Sequence, residues 1–265
     1  MQPNSPITAR IIFAVLIVGL IGHLSVELQA RLQGAATTHA GDNSLTHARG
    51  SRVRGLALAR TLLMSQPLQG EQALVSIIRE SDDPQVRESA IDSLVAHAAA
   101  DWPSDRRGEF MTQVAAPAIR SGRAHRVPPS ITIAQAIHES GWGRSTLARK
   151  HHNLFGIKAS GAQAGATFPT LEYTASGVRV EPARFRIYLN PDESMAEHAA
   201  LLAQSPRYAA ARVHVKNWRA YLKTIAPTYA TDPKYPRRIT QIIERYSLDR
   251  WDDVVPGLTT DNQPT

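Results

Sequence analysis

Pro128 to Lys158 reads PPSITIAQAIHESGWGRSTLARKHHNLFGIK, and it sets one carboxylate, Glu139, on the last turn of a helix that is about to end. Pro129 suits a first helical turn, Ile133, Ala134, Ala136 and Ile137 recur at helical spacing, and Gly141 is placed to stop the helix in the left-handed conformation. Glu139 therefore falls at the negative end of the helix dipole, where a charged carboxylate is disfavoured. The neighbouring Trp142 is apolar and is expected to strip water from that carboxyl, raising its pKa further. A carboxyl that holds its proton towards neutral pH is what a general acid requires. Position alone does not assign the role, because a glutamate near a helix end is usually a solvated surface residue.

The words AQAIHESGWGRSTLA (134–148) and NLFGIK (153–158) resemble the signature of bacterial cell-wall glucosaminidases, glycoside hydrolase family 73. That family includes the hydrolase half of flagellar rod-assembly proteins and many autolysins. The resemblance covers about Val127 to Leu248 and implies a lysozyme-like fold, no cofactor, and peptidoglycan glycan strands cut at the β-1,4 bond following N-acetylglucosamine. By resemblance the Glu of ESGWG is the catalytic acid, which falls on Glu139. A Thr-x-Glu-Tyr element of the family's β-lobe is matched by Thr170, Glu172 and Tyr173, which implies Glu172 as base or electrostatic stabiliser. Tyr229 to Tyr235, YATDPKY, matches its C-terminal element and implies Tyr229 in the active site, against the sugar's acetamido group or the attacking water. The family usually has Ala-Gly before this Tyr, whereas this chain has Pro227-Thr228. Asp232 and Pro233 read as a turn or helix start. Trp142, Phe155, Tyr173 and Tyr235 are the substrate-binding candidates, since aromatic faces stack on sugars, although aromatics beside a cleft also pack into cores.

Glycosidic bond cleavage needs a protonated carboxyl for the leaving oxygen and, in most families, a second carboxylate on the other side of the bond. Rival chemistries fail at particular residues. His138-Glu139 begins an HExxH pattern, but Trp142 stands where the second histidine belongs. The adjacent His151 and His152 point apart on a helix and suit a solvated basic end better than a metal site. The chain has no cysteine, no G-x-S-x-G elbow and no P-loop. Lytic transglycosylases and goose-type lysozymes, the muramidase alternative on the same polymer, also place a single Glu before Ser at a helix end, but they typically carry Gly-Leu-Met-Gln where this chain has NLFGIK. A non-catalytic wall-binding scaffold of a secretion or flagellar apparatus would not need Glu139, Glu172 and Tyr229 together.

The rest of the chain supplies the setting. Ile11 to Leu24, IIFAVLIVGLIGHL, follows Arg10 as an apolar run that reaches a marginal membrane span through residue 26. No clean small-x-small cleavage site follows closely, which favours an uncleaved anchor over a cleaved signal, in an envelope protein facing the periplasm or wall. Lys and Arg number 20 against 12 Asp and Glu in residues 111–265, so the net charge of +7 belongs to the C-terminal part. Such a surface attracts polyanions, and the export segment points to the carboxylate-bearing wall, and to a wall-spanning apparatus as a further partner, instead of nucleic acid.

The expected fold is mainly α with a small β-lobe (α+β). Its parts are an anchor or signal at 1–30, a flexible Ala/Gly/Ser/Thr/His tether at 31–54, a helical spacer with a HEAT-like helix at 55–102, the lysozyme-like domain at 103–255 and a disordered tail at 256–265. In the domain, helices are expected at Arg107–Ser121, around Glu139, at Ser145–His151, from Asn190-Pro191-Asp192-Glu193 with Met195, His198, Ala199 and Leu202 inward, at Val215–Ala226 and at Pro236–Tyr246. β-like pieces fall at Leu154–Ile157, Thr167–Tyr173, Val178–Val180 and Phe185–Tyr188.

Overall fold

Prolines and short polar caps set most of the helix starts. The computed structural model describes residues 43–174 and 177–258, with the backbone alone at 43–49 and 170–179. In chain order the elements are α1 (Asn43–Ser65), α2 (Pro67–Glu80), α3 (Pro84–Ala98), α4 (Arg106–His125), α5 (Pro129–Ser140), α6 (Thr146–His151), β1 (Gly165–Thr174), β2 (Gly177–Arg186), α7 (Pro191–Gln204), α8 (Trp218–Tyr229) and α9 (Tyr235–Arg245). Short 3-10 segments lie at Pro206–His214 and Leu248–Trp251. Pro67, Pro84, Pro129 and Pro191 each open a helix, where a missing N–H costs nothing. Asp83 Oδ1 accepts from the amides of Gln85 and Val86, and Asn190 Oδ1 accepts from that of Glu193 at 3.0 Å.

Helix α5 is the centre of the domain. Every residue from Pro129 to Ile137 is buried, as expected of a helix apolar or small on all sides. It packs against α4, α7, α8, α9 and the Leu248–Trp251 segment. Its first turn meets Asp252, which is buried. The Ser130 amide donates to Asp252 Oδ1 at 2.9 Å, and the Ser130 hydroxyl lies 2.7 Å from Oδ2. The carboxyl thereby serves the Ser130 N–H in the first turn of α5 from the far end of the chain.

The helices of the expected spacer share the core of the domain. Leu56, Ala59, Leu74, Ile78, Val86, Ala90, Ile91 and Leu94 belong to the same buried cluster as Ile131 and Ile137. Arg120 on α4 ties the layers together, its guanidinium meeting Glu88 at 2.6 Å and Asp92 at 3.2 Å on α3 and Asp192 at 2.7 Å on α7. Two expectations are corrected at the edges. Residues 43–54 of the tether are helical, because extending α1 backward from its packed turns at Leu56 and Ala59 avoids a new nucleation. The tail is ordered through Leu258, which is fully buried, with its amide on Val255 O. The apolar run at 11–26 lies outside the described residues; among those described, no helix is long and apolar enough to cross a membrane.

The β-lobe is a single antiparallel hairpin, in which Gly165 pairs with Arg186 and Thr174 with Gly177. Two expected pieces, Val178–Val180 and Phe185–Tyr188, are one strand, β2, ending at Arg186, and Pro182 does not break it. Pro182 faces Pro169, and a pair with no donors fits where strand amides point away from the partner. Leu154–Ile157 is a loop and not a strand. Asn153 takes over its backbone bonds: Oδ1 accepts from Ile157 N at 3.0 Å, while Nδ2 donates to Ile157 O and Arg186 O.

Asp252 gives a pH prediction. Burial raises its pKa from 3.8 to about 8, so folding takes up a proton between those values. The resulting stability is complete at acid pH and is lost as the pH rises towards 8. Urea unfolding of Asp252→Asn, which keeps both Ser130 contacts without ionising, should show a shallower loss than wild type between about pH 5 and pH 8.5. Parallel curves would contradict this account. Asp252→Ala should cost about 1–3 kcal/mol through an unpaired buried Ser130.

Candidate active site

Helix α5 ends abruptly, and the ending builds the site. Gly141, Trp142 and Gly143 take φ of 58°, 62° and 68°, with the Trp142 amide bonded to Ile137 O. Ser140, buried, donates to Ala136 O and accepts from Gly143 N at 2.7 Å, which holds the reversal together. A Cβ on Gly143 would sit 2.7 Å from the Phe110 ring, so only glycine fits there. Glu139 is left at the helix end, reaching into a cavity of about 590 Å³ that Phe155, Lys158, His198, Tyr208, Tyr229, Asp232 and Tyr235 also line.

Glu139 is exposed to this cavity, yet the protein packed around it removes enough water to push its carboxyl above the usual carboxylate range. A hydrogen bond from the Tyr235 hydroxyl opposes that rise. Gln135, one turn earlier on α5 and fully buried, donates from Nε2 to the Tyr235 oxygen at 2.8 Å, which directs the phenol's own proton to Glu139. Burial and the Glu139 charge push the Tyr235 phenol far up, so it stays a donor.

Tyr229 closes the α8 end of the cavity. Its ring stacks on Tyr235 with centroids 5.5 Å apart, and its hydroxyl lies 3.2 Å from His198 Nε2. Burial, with Tyr235 and Glu139 adding to it, holds the Tyr229 phenol well above its ordinary pKa. His198, on α7, is fully buried and lies flat on Phe155, with centroids 3.8 Å apart and planes 10° from parallel. Burial drops its pKa to about 3, so the ring is neutral. Asp232 is a second carboxylate on the cavity wall, but it is engaged with Arg238 at 2.8 Å and the Lys234 amide at 2.9 Å, as a helix start requires.

Of the residues singled out from the sequence, Glu139, Tyr229, Tyr235 and Phe155 meet in one cavity. Phe155 is a wall and not a stacking platform, because it is buried and one of its faces is covered by His198. Trp142 is a correction: the reversal after α5 carries it away from Glu139 into a separate groove with Arg106, Arg144 and Arg149, wedged edge-on against Phe110 and Tyr246. It does not line the cavity that holds Glu139. Glu172 and Tyr173 lie near the hairpin end of β1, with Glu172 opposite Arg179. His198 reads from the sequence only as an inward position of its helix, and no sequence pattern singles out Gln135. The available signal was a polar side chain on an otherwise apolar buried face.

The family model described as Glucosaminidase, mannosyl-glycoprotein endo-β-N-acetylglucosaminidase, matches residues 115–248. The chain is 32% identical over 189 residues to the exo-glucosaminidase LytG of Bacillus subtilis, covering 69% of this chain and 60% of that protein. It is 31% identical over 209 residues to the peptidoglycan hydrolase FlgJ of Escherichia coli K12, covering 72% of this chain and 66% of FlgJ. The match thus spans less than two thirds of either relative. The crystal structure of the catalytic domain of the autolysin Auto from Listeria monocytogenes superposes with a TM-score of 0.52 at 30% identity, covering 59% of this chain and 94% of that one.

The Gln135–Tyr235–Glu139 chain predicts a direction. Tyr235→Phe removes the bond that stabilises the Glu139 carboxylate, so its pKa should rise above the wild-type value in a carbon-13 NMR titration of the glutamate carboxyls. An unchanged or lower value would contradict the proposed hydrogen bond.

Proposed function

The chain belongs to the Glucosaminidase family, and on that premise we propose that it is a peptidoglycan hydrolase cutting the β-1,4 bond that follows N-acetylglucosamine. The observation that carries this reading is the Glu139 carboxyl, raised by burial, fixed by the Tyr235 hydroxyl and open to a cavity about 590 Å³ in volume. Glu139 is the proton donor to the leaving oxygen. A bound sugar displaces water from the cavity and raises its pKa further, so the acid becomes more competent as the substrate settles. Glu172 is the base or electrostatic stabiliser of the positive sugar, brought from the β-lobe. Tyr229 orients the acetamido group or the water, and Tyr235 supports Glu139. Tyr173 is a substrate contact from the same β-lobe element.

Location follows from substrate. The apolar residues 11–26 anchor the chain in the membrane, and the basic C-terminal part meets the carboxylates of the wall. Helices α1 to α3 act as a packed collar on the hydrolase. Service to a wall-spanning apparatus is compatible with such an anchored cutter.

The test is digestion of purified peptidoglycan with the full chain, followed by borohydride reduction and mass spectrometry of the products. N-acetylglucosaminitol ends are expected. Anhydromuramyl ends would move the reading to a lytic transglycosylase, and no products at all would favour a wall-binding scaffold. Glu172→Gln should lower the rate by about a hundredfold or more. An undiminished rate would remove Glu172 from the mechanism.

A further inference from the structure

We propose that His198 is the positioning residue that turns the Tyr229 hydroxyl into a hydrogen-bond donor aimed into the cavity. The inference rests on the reading of Tyr229 as a group that meets the sugar or water, and it adds a direction to that contact. A phenol can give or accept; what His198 does decides which.

The imidazole has little freedom. Phe155 lies flat against it at 3.8 Å, and Tyr229 stands edge-on at 5.8 Å and 78°. That geometry holds Nε2 at 3.2 Å from the Tyr229 oxygen. Nδ1 is buried and has no hydrogen-bond partner among the described residues. A neutral ring carries one proton, and its two placements differ in cost. With the proton on Nδ1, a buried N–H donor is left without an acceptor, which folded proteins rarely tolerate. With the proton on Nε2, the ring donates to Tyr229 and leaves only a bare lone pair at Nδ1. The second arrangement is the better one.

The consequence passes to Tyr229. Its oxygen accepts from His198, so its own proton is left to point into the cavity that Tyr229 and Glu139 both line. Tyr229 is then a fixed donor for an acceptor oxygen, the acetamido carbonyl of the sugar or a water oxygen. It does not act as a base, in keeping with a phenol whose pKa is raised well above the ordinary value. Preorganised donors of this kind stabilise charge without reorientation during the reaction.

Two measurements on the full chain test this. Long-range proton–nitrogen NMR with nitrogen-15-labelled histidine should show His198 as a neutral ring protonated at Nε2, with no titration between about pH 5 and pH 8. A proton on Nδ1, or an imidazolium in that range, would overturn the proposal. This arm is independent of any activity, so it stands even if the chain does not cut peptidoglycan. In kinetics on peptidoglycan, His198→Phe keeps the flat stack and removes the donor, and should lower kcat by about tenfold to a hundredfold with little change in KM. His198→Gln, which restores an N–H, should recover part of that loss. In a Tyr229→Phe background His198→Phe should cost almost nothing more. An equal loss in both backgrounds, or wild-type kcat in His198→Phe, would refute a role exerted through Tyr229. If His198→Phe does not fold by its circular dichroism melt, the Gln variant in the same two backgrounds and the wild-type NMR decide.

Discussion

The complete burial of α5 is the constraint on which the rest depends. A helix packed on every side from Pro129 to Ile137 has one orientation available, and whatever stands on its last turn inherits that rigidity. Glu139 is that residue. The wall of the protein removes water from it, the negative helix end disfavours its charge, and Gln135 on the same helix fixes the one hydroxyl that bonds to it. Asp252 holds the other end of α5 through Ser130. The acid therefore sits on a strut pinned at its start and stopped at its finish.

Around this strut two phenols on the cavity wall are held by hydrogen bonds, Tyr235 to Gln135 and Tyr229 to His198. Both phenols are held above their ordinary pKa and keep their protons. The site thus offers a carboxyl with a raised pKa together with phenolic hydroxyls, and no spare carboxylate among the described side chains, because Asp232 is spent on Arg238. The carboxylate proposed as the partner of Glu139, Glu172, stands on β1 of the hairpin, opposite Arg179.

Local signals in the sequence are legible where they are self-contained. The Asn190-Pro191 start, the inward set Met195, His198, Ala199 and Leu202, and the stop at Gly141 each depend on residues within one or two turns. Less is legible where a side chain replaces a backbone partner or where the chain reverses. Asn153 dissolves the expected strand at Leu154–Ile157, and the paired Pro169 and Pro182 keep β2 whole. The three consecutive positive φ values throw Trp142 into another groove. The link between His198 and Tyr229 spans 31 residues and leaves no local pattern to read.

The most direct test of the central claim is the initial rate of Glu139→Gln on purified peptidoglycan, alongside wild type and with melting curves for both. The substitution keeps size and shape and removes only the transferable proton. The account predicts a protein that folds as wild type does and loses activity by about a thousandfold or more. A folded Glu139→Gln with wild-type activity would contradict it.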